Sequence, residues 1–332
     1  MKSPVTGKKM EIRSEKAEHE FRKEKFMIVY HYYFCEESGQ SFQDERLMQL
    51  NLNQVYNQFR RKHNLPFPEE IVTLREQYGL SAAKMAEVLG FGINVYRQYE
   101  NGEIPSLSNA RLMQLAQDPR EFSRIIELGN VLKEKERKRI VDRVNELHTN
   151  ISGKPAIKKF IMGTPKADET TGYRIPSLEK LAEMVIFFSA KCQPWKTKLN
   201  KLLFYADFIH FKSTGISISG CRYRAIDMGP VPDNFNSLFD YLAREAQIEI
   251  SYTVFPNGSI GEQFKRHTGR ALNEKIFDHD EWSTLQQVDE KFGLKSTSEM
   301  IELSHQEEAW KKNYYNGKSL ISYTDAFNLL NC

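Results

Sequence analysis

Residues 80–105 read LSAAKMAEVLGFGINVYRQYENGEIP, the pattern of two short helices joined by a tight turn. Ser81 can cap the first helix, because its hydroxyl accepts from a free backbone N–H in the opening turn. Met85, Ala86 and Leu89 then fall on one helical face. Gly90 can take the left-handed conformation that stops the helix without a Cβ clash. Phe91 packs back at the turn, and Tyr96 with Tyr99 gives the second helix an inward stripe at i, i+3. Two helices that cross steeply need a small side chain at the contact, and Ala86 supplies it. This is the internal logic of a helix-turn-helix that reads DNA.

With those residues turned inward, the outer side of the second helix carries Asn94, Arg97, Gln98 and Asn101. Arg pairs with guanine N7/O6, and Asn or Gln with adenine N6/N7. Farther on, Ser106, Ser108 and Asn109 can open another helix whose N–H groups meet a phosphate. The expected DNA-binding set is therefore Asn94, Arg97, Gln98, Asn101, Ser106 and Asn109. The plainer reading is a helical hairpin that touches no nucleic acid, but the small, glycine and apolar positions all agree with the motif. Charge argues the other way. Between Phe91 and Arg120 the bases Arg97, Arg111 and Arg120 are balanced by Glu100, Glu103 and Asp118, so there is no basic patch.

The chain has 332 residues, enough for two or three domains with cores of their own. Hydrophobic residues at 40% and charged residues at 27% give a globular balance, and a net charge of +3 is too small to argue for nucleic acid by itself. Cys35, Cys192, Cys221 and Cys332 are scattered and form no paired framework, which points to a reducing cytoplasm. No apolar run approaches the ~20 residues of a membrane span, and the start lacks a signal-peptide core.

Residues 1–43 read as a small β-ribbon unit. KFMIVYHYYF (Lys25 to Phe34) is β-branched and aromatic, and so a strand. It lies between two knuckle-like segments, Ser3-Pro-Val-Thr6-Gly7 and Cys35-Glu-Glu-Ser38-Gly39. Cysteines at 3, 6 and 38 would make C-x-x-C-G twice, a zinc ribbon. Only Cys35 is present, alcohols are poor zinc ligands, and the reading is that no metal or other cofactor is bound. His19 and His31 have no ligand spacing and read as satisfied or exposed.

Residues 44–148 read as an all-α domain: an amphipathic helix from Asp44 to His63, a support helix from Glu69 to Tyr78, the helix-turn-helix, and a stripe through Phe122, Ile125, Ile126 and Leu132. Lys133 to Arg139, KEKERKR, has the mixed signs of a solvated helix face. Ile140, Val144 and Leu147 resume the stripe, for dimer contact or to close the core. Residues 149–176, with Gly153, Pro155, Gly163, Pro165, Gly172 and Pro176, read as a linker.

Residues 177–332 read as a mostly helical α+β domain with a small antiparallel sheet. Helices are expected at Leu178 to Ala190, Lys198 to Phe211, Asp233 to Arg244, Asp280 to Phe292, Thr297 to Ser304 and Thr324 to Leu330. A short strand is expected at Cys221 to Asp227, and a hairpin at Ile248 to Phe255 and from Ile260 on. The helix KLNKLLFYADFIHF is apolar nearly all round and should be buried. The fold class as a whole is α+β and multidomain.

Two resemblances apply to these segments. Residues 1 to about 130, with the run LREQYGLSAAKMAEVLGFGINVYRQYENG, resemble the MqsA (YgiT-type) antitoxin family: a zinc-ribbon-like start followed by a helix-turn-helix. The resemblance implies DNA reading by an Asn near the start of the second helix and a residue one turn later, here Asn94 and Gln98. The family usually has Arg at the latter, so Gln98 implies a preference moved toward adenine. The missing cysteines are a further departure from the family pattern.

Residues 177 to 330 resemble the Panacea domain of SocA-like antitoxins in KLNKLLFYADFIHFKSTGISISG (198–220), YRAIDMGPVP (223–232) and SHQEEAW (304–310). That resemblance implies a domain that neutralises a toxin encoded nearby. With the front half it implies a type II antitoxin that represses its own operon. The implied partners are a cognate toxin, operator DNA and a second copy of the chain, with no membrane. Delivery of the toxin to a protease, a role found in the SocA-like family, and a ligand-responsive regulator are the alternatives.

Catalysis finds little support in the residues. Lys201, Tyr205, Asp207, His210, Cys221, Asp227 and His305 are polar groups among apolar ones, and Asp207 with His210 can pair along a helix. No nucleophile stands at a diagnostic spacing and no phosphate loop or metal cluster appears. The expectation is a non-enzyme, with structural pairing of the buried Lys and Asp. Lys201, Tyr205, Tyr223, Asp227 and His305 are the candidate partner-binding residues. Trp310 reads as core.

Overall fold

The computed structural model of the chain describes residues 1–129, 132–149 and 154–332. Gly153, expected in a linker, lies outside them. Backbone proximity groups the chain into two compact units. One comprises Met1–His19, Met27–Gln54 and Ala156–Cys332, and the other Glu20–Phe26 with Val55–Pro155. The protein is α+β and multidomain, with helices and small antiparallel sheets.

The amino-terminal ribbon has strands β1 (Glu11–Phe21), β2 (Glu24–Cys35) and β3 (Gln40–Phe42) in the order β1-β2-β3. β1, EIRSEKAEHEF, is mostly exposed and has no apolar alternation. It holds as a strand by pairing with β2 rather than by burial. Helix α1 (Glu45–His63) follows. Two amides near its middle complete the edge of β2 that the short β3 leaves open. Gln54 accepts from Val29 N (2.9 Å) and donates to Val29 O (2.8 Å). Asn51 makes the same pair of bonds with His31 N and O, both 2.9 Å. Side-chain amides thus stand in for a neighbouring strand, which satisfies backbone groups that would otherwise be costly to bury. His31 itself is buried, and among the described residues its Nδ1 finds no partner, so it is neither satisfied nor exposed.

In the knuckles, Ser3 Oγ accepts from Val5 N (3.3 Å) and Thr6 N (3.2 Å). Thr6 Oγ1 lies 3.4 Å from the buried Cys35 Sγ. The neighbouring hydroxyls of Ser3, Ser38 and Thr6 pull the Cys35 thiol down to about 6. Three hydroxyls and one thiol do not fit zinc, which takes thiolate or imidazole, and Ser3 Oγ is already occupied by backbone donors. The shape of a ribbon survives on hydrogen bonds.

The second unit is a helical bundle: α2 (Pro68–Gln77), α3 (Ala82–Val88), α4 (Val95–Glu100), α5 (Leu107–Leu115), α6 (Pro119–Leu128) and α7 (Glu134–Thr149). Ser81 caps α3 by accepting from Lys84 N, and Gly90 has φ +70° at the turn, where any side chain would be strained. Met85, Ala86, Leu89, Tyr96 and Tyr99 share one core with Ile71, Leu74, Tyr78, Phe122 and Ile126. Ile140 and Val144 are buried in the same core, so the stripe after KEKERKR closes this unit.

The rest of the chain begins with α8 (Lys154–Met162), a helix inside the stretch read as linker, where glycine and proline counts hid it. Then come α9 (Leu178–Lys191), α10 (Lys196–Thr214), β4 (Tyr223–Ile226), β5 (Gly229–Pro232), α11 (Phe235–Arg244), β6 (Ile248–Val254), β7 (Ile260–Arg266), α12 (His279–Phe292), α13 (Thr297–Gln306) and α14 (Glu308–Tyr315). α10 is buried without a break from Lys198 to Phe211 and packs against α9, α12, α13 and β5. Three expectations need correction. The short strand expected at Cys221 to Asp227 has an unexpected partner in β5, which pairs Ile226 with Gly229 and Tyr223 with Pro232. A helix, α14, lies where none was expected. Residues Tyr323–Asn328 form a 3₁₀ helix, tighter than the α-helix expected from Thr324. Among the described residues no helix is long and apolar enough to cross a membrane.

The knuckle geometry makes one prediction. The triple substitution Ser3→Cys, Thr6→Cys, Ser38→Cys should take up about one zinc ion per chain and raise the melting temperature of the metal-loaded protein. Metal content after gel filtration checks it; a triple variant that elutes folded without zinc contradicts the knuckle reading.

Candidate functional site

The outer face of α4 is built by what its inner face must do. The Tyr96 hydroxyl donates to Ile71 O at 2.7 Å, and Tyr78 donates to Ala116 O at 2.7 Å. Burial pushes both phenols far above their ordinary pKa, so both remain donors at any physiological pH. Ala86 is fully buried at the turn, and its carbonyl accepts from Phe91 N at 2.7 Å. Arg75 Nε meets Glu100 at 2.6 Å and so ties α2 to the end of α4.

Opposite this packing, Ile93, Asn94, Arg97, Gln98 and Asn101 are exposed. Asn94 makes no side-chain cap bond. Among the described residues, Arg97, Gln98 and Asn101 are likewise left with unspent side-chain hydrogen-bonding capacity, and a row of free donors and acceptors on one ridge is what base edges require. Ser106 and Asn109 are differently placed. Ser106 Oγ caps α5 through Asn109 N (3.1 Å), and Asn109 Nδ2 donates to Tyr99 Oη (2.9 Å). Asn109 therefore holds α5 to α4 as well as lying near the surface.

Sequence reasoning missed the arginines that brace the loop after α4. Arg22 donates to Ile104 O (3.1 Å), and Arg60 donates to Gly102 O. Burial pulls Arg60 down to about 10. The basic end of α1 is thus spent inside the chain: Arg60 on a carbonyl, and Lys62 on Glu24 at 2.6 Å.

In the other unit, Lys201, Tyr205 and Tyr223 are completely buried, whereas Asp227 is exposed and His305 half-buried. Of the five candidate partner residues, then, only the last two reach the surface. Lys201 Nζ donates to Pro230 O at 3.0 Å beneath Gly229. That glycine has φ +96°, and a Cβ there would lie 2.6 Å from Lys201 Cε, so close approach demands its absence. Tyr205 donates to Glu307 at 3.2 Å; the same carboxylate accepts from Leu330 N (2.8 Å) and Asn331 N (3.1 Å). Tyr223 donates to Asp207 at 2.8 Å.

Asp207 does not pair with His210. It accepts from Ile218 N and Ser219 N (both 2.8 Å), from Ser219 Oγ (2.5 Å) and from Tyr223, while His210 Nδ1 meets Thr284 Oγ1 at 3.2 Å. Burial pulls His210 down to about 4. Asp227 instead pairs with Lys318 at 2.5 Å and accepts from Tyr314 at 3.0 Å. His305 stacks on Trp310 with centroids 3.9 Å apart, and the buried Trp310 donates to Ile226 O at 2.8 Å. The surface of this unit also bears an apolar patch: Tyr252 and Val254 on one face of β6, with Ile260 opposite Val254, all exposed.

With this geometry in hand, residues 1–124 match the family described as the antitoxin component of bacterial toxin-antitoxin systems, MqsA. Residues 199–311 match the family described as the SocA-like antitoxin, Panacea domain. No curated protein matches the chain. The two matched regions lie in series along the chain.

Burial holds Lys201 near pKa 7, down from 10.5. Between those values the unfolded chain binds a proton that the folded chain does not, so this residue's contribution to stability rises with pH. Urea unfolding at pH 7.5 and 9.5 should show the wild type gaining on Lys201→Met by an amount on the order of 1 kcal/mol or more. A gap that does not move between the two pH values contradicts a neutral buried amine.

Proposed function

From a helix-turn-helix antitoxin region joined to a Panacea domain, we propose that the chain is a type II antitoxin that represses its own operon. The α4 ridge reads operator DNA, and the Panacea domain binds and neutralises a toxin encoded nearby. The observation that carries the DNA-reading half is the ridge Asn94, Arg97, Gln98 and Asn101, exposed on the side opposite the buried Tyr96 and Tyr99. For the toxin-binding half, support comes from the Panacea match and from the apolar patch of Tyr252, Val254 and Ile260, a surface of the kind that meets protein partners.

The polar groups of the Panacea motif serve the fold in this reading. Asp207, Lys201 and Glu307 are occupied by backbone and tyrosine partners, so the chain acts by binding and not by catalysis. DNA reading of this kind calls for a homodimer on a palindromic site, with half-sites about 34 Å apart or a multiple of that. The protein acts in the cytoplasm, where both its operon and its toxin are.

Asn94→Ala and Gln98→Ala should each weaken binding to DNA from upstream of the gene by about 1–3 kcal/mol, while rescue of cells from the neighbouring toxin stays intact. Mobility shift and co-expression measure the two halves separately. Loss of rescue in both variants, or unchanged DNA binding, contradicts the division of tasks.

A further inference from the structure

One side chain on the ridge is neither polar nor packed. Ile93 is 76% exposed, between the exposed Gly92 and Asn94, in the turn that leads into α4. Folding gives no reason for an isoleucine there. It belongs to no part of the unit's core, and turn positions favour Gly, Asn or Ser. Being β-branched, it is stiff at χ1 and holds its methyl groups in a restricted place at little entropic cost.

Its position is that of a reader. The helical hydrogen bonds begin at the next residue, where Asn94 O accepts from Gln98 N at 3.1 Å. Ile93 therefore stands beside the first polar group of the ridge, on a face where its neighbours Asn94, Arg97 and Gln98 are all exposed. The major-groove edge of a base pair offers one apolar feature, the C5 methyl of thymine, and an apolar side chain is what meets it. Successive Cα atoms lie about 3.8 Å apart and successive base pairs about 3.4 Å. A side chain next to Asn94 thus meets the base pair that Asn94 reads, or the one beside it.

We propose that Ile93 is a specificity-determining contact that reads a thymine methyl in each half-site, within one base pair of the adenine selected by Asn94. The inference rests on the DNA reading assigned to this face and adds a base requirement that hydrogen bonding alone does not supply.

The test uses the full-length protein and a duplex that it selects from a random-sequence library. Each thymine of the selected duplex is replaced in turn by deoxyuridine, which removes only the methyl group. One replacement per half-site should weaken wild-type binding about three- to tenfold, the factor supplied by burying one or two methyl groups. Ile93→Ala should lose the same factor on the parent duplex and be indifferent to that replacement, while Ile93→Val retains most of the effect. The side chain is exposed, so both variants should melt as the wild type does, and a melting curve checks this.

Equal sensitivity of wild type and Ile93→Ala to every replacement overturns the proposal. If Asn94→Ala still loses sequence selection in that case, the DNA reading of the ridge stands without it. If the wild-type protein selects no sequence at all, both fall together.

Discussion

The buried hydroxyl of Tyr96 fixes which side of α4 can meet another molecule. Its bond to Ile71 O is made inside a core sealed by Met85, Ala86 and Phe122. A buried phenol without a partner costs about 1–3 kcal/mol. Turning α4 by one residue, about 100°, would break that bond and drive the Arg97 guanidinium into the core, which costs more. Asn109 adds a second pin through Tyr99. The polar ridge is therefore held by contacts that its own residues do not make, so its side chains can change without loss of fold.

The region that matches the Panacea family uses buried charge in the opposite way. Asp207 gathers two backbone N–H groups, a serine and a tyrosine around α10, and Glu307 gathers the last residues of the chain. Lys201 closes the Gly229–Pro230 corner. Each of these polar groups is spent within the domain, and each would be expensive to leave alone. These residues therefore build the scaffold and are not free to meet a partner.

How much of this could be read from the sequence depended on how local the cause was. The helix-turn-helix was legible down to the Ser81 cap, because its spacing, its glycine and its small residue act within one turn of each other. The ribbon's central strand was legible for its β-branched and aromatic run. β1 was not, since a polar strand that owes its form to pairing carries no alternation. The amides of Asn51 and Gln54 that complete the edge of β2 act across 20 and 25 residues, and nothing near them in sequence signals it. α8 was hidden by surrounding glycines and prolines, and β5 by its two prolines, which a two-stranded ribbon tolerates. Burial of the helix bearing Lys201 and Tyr205 was legible because it is apolar nearly all round, but which partners its polar groups meet was not, since Pro230 and Glu307 lie far along the chain.

The account turns on the ridge of α4 entering the major groove of the chain's own upstream DNA. Methylation interference with dimethyl sulfate tests this directly, because methylated guanine N7 projects into that groove. The full-length protein should be excluded by N7 methylation in two short clusters about one helical turn apart, or a multiple of that. Binding that ignores N7 methylation throughout, or that follows salt but not sequence, would contradict it.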